Sequence, residues 1–157
     1  TSLDVIEHLD NDVLALREYA RVVAPGGLLV LAVPAYEWAW SDHDVMLGHR
    51  RRYTAARIAQ AAITAGLVVE RTTYFHSWLV PLALLLRKTP IRLLLRKSAE
   101  EASFVGPNVN RLLLALVSAE RWFAKRARVP FGLSILGVAR RPDDTGRHNA
   151  APGATER

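Results

Sequence analysis

Three ionisable residues, Asp4, Glu7 and His8, lie within five positions near the start of the chain. They belong to, or directly follow, a short apolar segment at residues 3–6 that predicts the end of a strand. An imidazole can hold or remove a proton, and carboxylates with an imidazole are also suitable ligands for a divalent cation. Since open α/β sheets bind ligands outside the carboxyl ends of their strands, this segment is a candidate site. Loop hydrogen bonds and packing are the alternative use of these side chains.

A second polar group spans residues 41–54, where Ser-Asp-His-Asp is followed by Gly-His-Arg-Arg-Arg-Tyr-Thr. His43 and Asp44 could form an oriented base, and the arginines at 50–52 could clamp a phosphate or carboxylate in a bidentate manner. In the alternative interpretation, the aspartates pair with the arginines and fix the loop. A metal held by His43, Asp44 and His49 is the least favoured use.

The elements that position these residues alternate between helix and strand. Residues 10–23 predict a helix with an Asp or Asn cap, a Pro-Gly-Gly turn follows at 25–27, and residues 28–33 form an unbroken apolar strand. A strand that is apolar throughout is typical of a parallel sheet with helices on both faces.

Further along, Thr54 predicts the cap of a helix at 55–65, and residues 67–75 alternate like a strand. Two helical segments follow, at 78–97 with a break near Pro90 and at 108–128. Residues 131–140 predict the last strand, and 142–157 predict a disordered tail. In the second helical segment we expect five residues to face inward: Leu112, Leu113, Leu116, Ala119 and Phe123.

Three segments in this order, Glu-His at 7–8, Ala-Pro-Gly-Gly at 24–27 and His-Arg-Arg-Arg-Tyr-Thr at 49–54, resemble the class I S-adenosylmethionine-dependent methyltransferases of the small-molecule type. The resemblance covers residues 1–141 and implies an α/β fold, the C-terminal part of a Rossmann-like seven-stranded sheet. It implies strands 4 to 7 with their helices, strands 6 and 7 as a closing hairpin, and a helical insert at about 78–130 before the last strand. The Gly-rich loop and the acidic second-strand end of the family are not found, so we expect a partial domain from a longer enzyme.

The resemblance implies methyl transfer from S-adenosylmethionine to a small acceptor, lipid-like or anionic, with this segment inactive alone. It implies that the cofactor binds in the full-length form. No metal is expected, although the pattern acid-x-x-Glu-His is associated with a divalent cation in ubiquinone-type O-methyltransferases of the family. The resemblance implies catalytic roles for His8 and His43. It implies that Asp4, Glu7 and His8 contact the cofactor. Acceptor contacts fall on Tyr36, Trp38, His43, His49, Arg50 and Arg51.

Composition narrows the classes of partner. The 157 residues carry a net charge of +6 and are half hydrophobic. They contain no cysteine, which excludes disulfides and agrees with a cytoplasmic protein. The basic residues flank Leu-rich segments instead of alternating with aromatic residues, so we expect no nucleic-acid partner.

The alternative function is a non-catalytic binding or membrane-surface module, with peripheral membrane contact through these Leu-rich segments. An open sheet edge would also permit self-association.

Overall fold

The computed structural model describes residues 1–88 and 106–143, and the predictions made for residues 89–97 and for the tail from 144 onward lie outside this part. Two single 3₁₀ turns, Ile6–His8 and Glu37–Ala39, accompany the helices and strands. In chain order the elements are β1 (Ser2–Leu3), α1 (Asp12–Val22), β2 (Leu28–Pro34), α2 (Asp42–Leu47), α3 (Ala55–Thr64), β3 (Val68–Phe75), α4 (Leu79–Lys88), α5 (Pro107–Ala124) and β4 (Ser134–Arg140).

The strands form a mixed four-stranded sheet in the order β1-β2-β4-β3, which confirms the α/β class. β1 pairs with β2 in parallel, and β4 runs antiparallel to both of its neighbours. The carboxyl ends of β1, β2 and β3 therefore share one edge of the sheet, and the segments that follow them meet there. β1 is the outermost strand on one side of the sheet, and within the described residues its outer side pairs with no strand. Self-association through this unpaired side of β1 stays a prediction.

The core lies between the sheet and the pair of helices α1 and α3. Leu16 of α1 and Ile58 of α3 are buried in one cluster with the buried residues of β2, whose first residue, Leu28, is exposed. Both predicted caps are present: the Asn11 side chain accepts from the amide of Leu14 at 2.9 Å, and Thr54 accepts from the amide of Arg57 at 3.2 Å. Small residues on α3 let this helix approach the sheet closely, namely Ala61 and Ala62.

Two sequence-based boundaries are wrong. β1 ends at Leu3 and not at residue 6, because Asp4 takes a positive φ of 51° and a 3₁₀ turn begins at Ile6. The Asp4 amide donates to the carbonyl of Ala32 at 3.0 Å, so this bend stays attached to β2. Between the predicted strand at 28–33 and the predicted helix at 55–65 the sequence indicated no further element, but the structure has the second 3₁₀ turn and α2 there.

α5 also differs from the expectation. Leu113 and Leu116 are partly buried, but Leu112 and Phe123, which were expected to face inward, are 59% and 47% exposed, and Ala119 is exposed as well. α5 packs on β3 with one face only, and no described element covers its other side. No helix in the described ranges is both long and apolar enough to cross a membrane.

Candidate functional site

The site candidate is the junction of the segment after β1 with the segment after α2. Glu7 and His8 lie on the 3₁₀ turn after β1, and His49 follows the end of α2 at Gly48. One ligand-type atom from each of the three side chains lies within 4.8 Å of the others, and the rings of His8 and His49 meet edge to face with centroids 4.7 Å apart. The amide of Arg50 donates to the carbonyl of Glu7 at 2.8 Å and joins the segments.

A buried carboxylate orients His49. Asp44 Oδ1 lies 2.9 Å from His49 Nδ1, while Arg52 donates to both carboxylate oxygens at 2.8 and 2.9 Å and the Ser41 amide donates at 2.8 Å. Burial alone raises the pKa of Asp44, but the hydrogen bonds from Arg52, His49 and Ser41 outweigh it and hold the pKa well below its ordinary value. An ionised Asp44 accepts the Nδ1 proton of a neutral His49 ring, which leaves Nε2 as a proton acceptor.

Of the two interpretations of this segment, the contacts agree with the pairing of aspartate and arginine: Asp44 pairs with Arg52, and His43 does not contact it. Asp44 and His43 both lie on α2, but neighbouring side chains on a helix point about 100° apart. Asp44 therefore faces inward to His49 and Arg52, whereas His43 is exposed. A sequence signal for the contact with His49 existed, because Gly48 ends α2 in the left-handed conformation and turns the next residue back toward the helix.

Arg51 contacts protein groups instead of an open pocket. Its Nη2 donates to the carbonyls of Leu9 and Asp10, each at 2.7 Å, and its Nη1 lies 3.3 Å from the carboxylate of Asp12. Asp12 also accepts from the hydroxyl of buried Tyr53 at 3.0 Å. This network ties the start of α1 to the segment after α2, as in the pairing interpretation of the arginines.

Arg50 is less enclosed. Its Nε donates to the carbonyl of His8 at 2.9 Å and its Nη1 pairs with Asp10 at 2.6 Å, but the side chain is 52% exposed. It therefore places positive charge beside His8 at the surface. Its predicted role in acceptor binding stays a prediction, as does that of Arg51.

The predicted aromatic acceptor residues form a stack at the ends of β2 and β3. The ring of Tyr36 lies between those of Trp38, at 5.5 Å, and Tyr74, at 5.3 Å. Burial and the hydrogen bond with Tyr74 raise the pKa of Tyr36 to about 12, so its hydroxyl stays protonated near neutral pH. Tyr36 also has a φ of 59°, which is uncommon outside glycine and marks a sharp turn after β2.

Glu7 is fully buried, and neither carboxylate oxygen has a hydrogen-bond partner among the described residues. Burial raises its pKa, although His49 and His8 act in the opposite direction. One carboxylate and two imidazoles are a donor set that suits transition metals better than Mg²⁺, so Glu7, His8 and His49 would fit such a cation, which would polarise an acceptor oxygen. Asp4 is exposed and lies outside this cluster.

No protein-family model and no curated protein matches the chain. Among solved structures, the chain is similar to the [4+2]-cyclase SpnF, with a TM-score of 0.48 and 20% identity over 90% of this chain and 48% of that one. It is also similar to phosphoethanolamine N-methyltransferase 2 of Haemonchus contortus in complex with S-adenosyl-L-methionine, with a TM-score of 0.46 and 14% identity over 90% of this chain and 32% of that one. The chain thus spans about half or less of these proteins. A TM-score below 0.5 is too low for either structure to assign a role here.

Proposed function

We propose that this chain is the acceptor-side part of an S-adenosylmethionine-dependent methyltransferase that modifies a small molecule. The observation that carries the proposal is the meeting of Glu7 and His8 with the Asp44–His49 pair at the edge where parallel β1 and β2 end. Ligands bind at such edges in open α/β sheets. The antiparallel pairing of β3 with β4 agrees with the closing hairpin of the resemblance, and in this proposal β1 to β4 are the fourth, fifth, sixth and seventh strands.

In this proposal, His49 is the general base. Bound S-adenosylmethionine supplies a methyl group on a sulfonium, and the protein's task is mainly to align the acceptor with that carbon. Nε2 of His49 would accept the proton that the acceptor oxygen or nitrogen gives up when it receives the methyl group. Asp44 stays ionised because its pKa is low, and it stabilises the imidazolium that forms.

The surroundings favour particular acceptors. The aromatic stack of Trp38, Tyr36 and Tyr74 offers an apolar wall after β2 and β3. The half-exposed Arg50 adds positive charge beside His8. An acceptor with an apolar body and an anionic group fits both features, and this is the acceptor class that we propose.

Cofactor binding tests the proposal. The Gly-rich loop and the second-strand acid of the family are not found in the chain, so we expect calorimetry to detect weak or no binding of S-adenosylmethionine to this chain. The same chain extended upstream by its coding sequence should bind the cofactor with a defined stoichiometry of one. Tight binding by the unextended chain would show that the cofactor site is misplaced. A lack of binding by the extended protein would refute the methyltransferase proposal.

A cation at Glu7, His8 and His49 is the second candidate use of the cluster, favoured by the unpartnered carboxylate of Glu7. The base role is preferred because a neutral, protonated Glu7 needs no cation, and burial acts in that direction. Calorimetric titration with Mn²⁺ and with Zn²⁺ separates the two uses. The base role predicts no saturable binding, whereas binding that is lost in His8→Ala and kept in the exposed control His43→Ala would establish the cation site.

A further inference from the structure

The outward side of α5 carries large apolar side chains that no described element covers. Leu112, Trp122 and Phe123 are 59%, 58% and 47% exposed, and Phe131 beyond the helix is 50% exposed. A groove of about 590 Å³ runs beside the helix. Its apolar lining includes Trp78, Leu116, Trp122, Phe123, Pro130 and Phe131. Exposed apolar surface of this kind marks an interaction site more often than chance.

Hydrogen bonds hold α5 in a defined orientation, so the helix cannot rotate to bury its exposed apolar side chains against the sheet. Glu120 accepts from the amides of His76 and Ser77 at 2.8 and 2.7 Å and from the Ser77 hydroxyl at 2.6 Å. Arg71 of β3 donates to the carbonyls of Ala124 and Ala127 at 2.5 and 3.0 Å, at the end of α5. These contacts fix how α5 lies against β3 and the segment before α4, and the engaged Glu120 itself lines the polar end of the groove.

The charge around the apolar side chains is strongly positive. Between residues 107 and 131 the only acidic residue is Glu120, and its carboxylate accepts a hydrogen bond from the amide of Ser77, just before α4. The guanidinium of Arg126 lies 4.0 Å from the ring centroid of Trp122, so cationic and apolar groups share one surface. The five cations in this range are Arg111, Arg121, Lys125, Arg126 and Arg128.

We propose that this face of α5 binds the surface of an anionic lipid bilayer. With 18 residues α5 is about 27 Å long, and an amphipathic helix of this length can lie in the interface with its apolar side chains among the acyl chains. The long stems of Arg and Lys let their charges reach the headgroups. The bilayer is favoured over a single ligand because the exposed apolar residues extend along the helix from Leu112 to Phe123, beyond the groove itself. This inference does not depend on the proposed enzymatic function.

Sedimentation of the chain with vesicles tests the inference. We expect binding to vesicles of phosphatidylcholine and phosphatidylglycerol at 3:1, little binding to phosphatidylcholine alone, and weakening at high salt. The triple variant Arg121→Gln, Lys125→Gln, Arg126→Gln should bind about a hundredfold more weakly, since each cation near an anionic surface contributes roughly fivefold. The variant Trp122→Ser, Phe123→Ser should lose at least tenfold. Matched controls on other helices, Arg17→Gln and Met46→Ser, should bind like the wild type.

Several results would overturn the inference. Failure to bind the anionic vesicles would do so, and so would equal binding to both kinds of vesicle. Binding of monomeric dihexanoyl phosphatidylglycerol without binding of vesicles would indicate a ligand groove instead. A dimer in light scattering that Phe123→Ser dissociates would show that a second copy covers this face. Circular dichroism and thermal unfolding of each variant exclude loss of the fold as the cause.

Discussion

The carboxylate of Asp44 holds the ring of His49 through a 2.9 Å contact to Nδ1, although the two residues lie on opposite sides of the turn that ends α2. The same carboxylate accepts two hydrogen bonds from Arg52, and Arg52 also donates to the carbonyl of Ala35 at the end of β2. One buried charge therefore connects α2, the sheet edge and the candidate base. Disturbing Asp44 should affect both the stability of the protein and the orientation of His49.

Replacing Asp44 by Asn should strongly destabilise the protein. The substitution leaves the guanidinium of Arg52 largely buried without its counter-charge, and removal of one partner from a buried ion pair costs about 3–5 kcal/mol. Urea unfolding followed by circular dichroism gives the free energy of unfolding. Asp10→Asn is the matched control, because the Asp10–Arg50 pair is mostly exposed and should contribute under about 1 kcal/mol. Similar losses in the two variants would contradict the buried network.

The low pKa of Asp44 also predicts a particular acid sensitivity. Because the folded-state pKa lies below the unfolded value of about 3.9, the carboxylate stabilises the fold fully at pH values well above the unfolded pKa. This stability is lost progressively as the pH falls from about 5 toward the folded-state pKa. Urea unfolding between pH 3 and pH 7 should therefore show a steeper loss in wild type than in Asp44→Asn. Parallel curves would mean that Asp44 does not titrate differently in the folded state.

Glu7 should show the opposite dependence. Burial raises the pKa of Glu7, so the folded protein binds its proton more tightly than the unfolded chain, and stability falls as the pH rises through the window above about 4.3. Glu7→Gln removes this cost, so its melting temperature relative to wild type should be higher at pH 8 than at pH 4. A variant that is relatively less stable at pH 8 would show that an ionised Glu7 has a partner in the folded state.

Some of this architecture was predictable from the sequence because its causes are local. The caps at Asn11 and Thr54 and the buried strand β2 follow from residue type and pattern over a few positions. The end of β1 at Leu3 was not predictable, since it depends on the left-handed turn at Asp4. The exposure of Leu112 and Phe123 likewise depends on what packs beside α5, because an apolar pattern alone does not say whether a second layer exists.

The candidate site shows the same limit. Glu7 and His8 on one side and His49 on the other were predicted as parts of two separate candidate sites, and the structure brings the three side chains together. For Asp44 the sequence left two partners open, His43 and the arginines; the structure has Arg52, together with His49, which the turn at Gly48 brings to the carboxylate. Such pairings depend on where a turn reverses the chain, which Gly48 indicates here, more than on adjacency in the sequence.

A substitution at Arg51 tests whether this residue stabilises the fold or is free to bind the acceptor. Its guanidinium donates to the carbonyls of Leu9 and Asp10 and pairs with Asp12, so Arg51→Ala should lower the free energy of unfolding by about 2 kcal/mol or more. The matched control is Arg50→Ala, which removes a half-exposed side chain and should cost less than half as much. Equal stability of Arg51→Ala and wild type would free Arg51 for the acceptor role that the resemblance implies.

The central claim, that His49 oriented by Asp44 is the base of a methyl transfer, is tested most directly by transfer of a tritiated methyl group. The upstream-extended protein is incubated with labelled S-adenosylmethionine and a small-molecule extract of its source cells, with cofactor affinity measured in parallel. We predict that His49→Ala lowers incorporation by about a hundredfold or more and changes cofactor affinity by no more than a few-fold, while His43→Ala transfers nearly as fast as wild type. Unchanged incorporation in His49→Ala, or an equal loss in His43→Ala, would contradict the account.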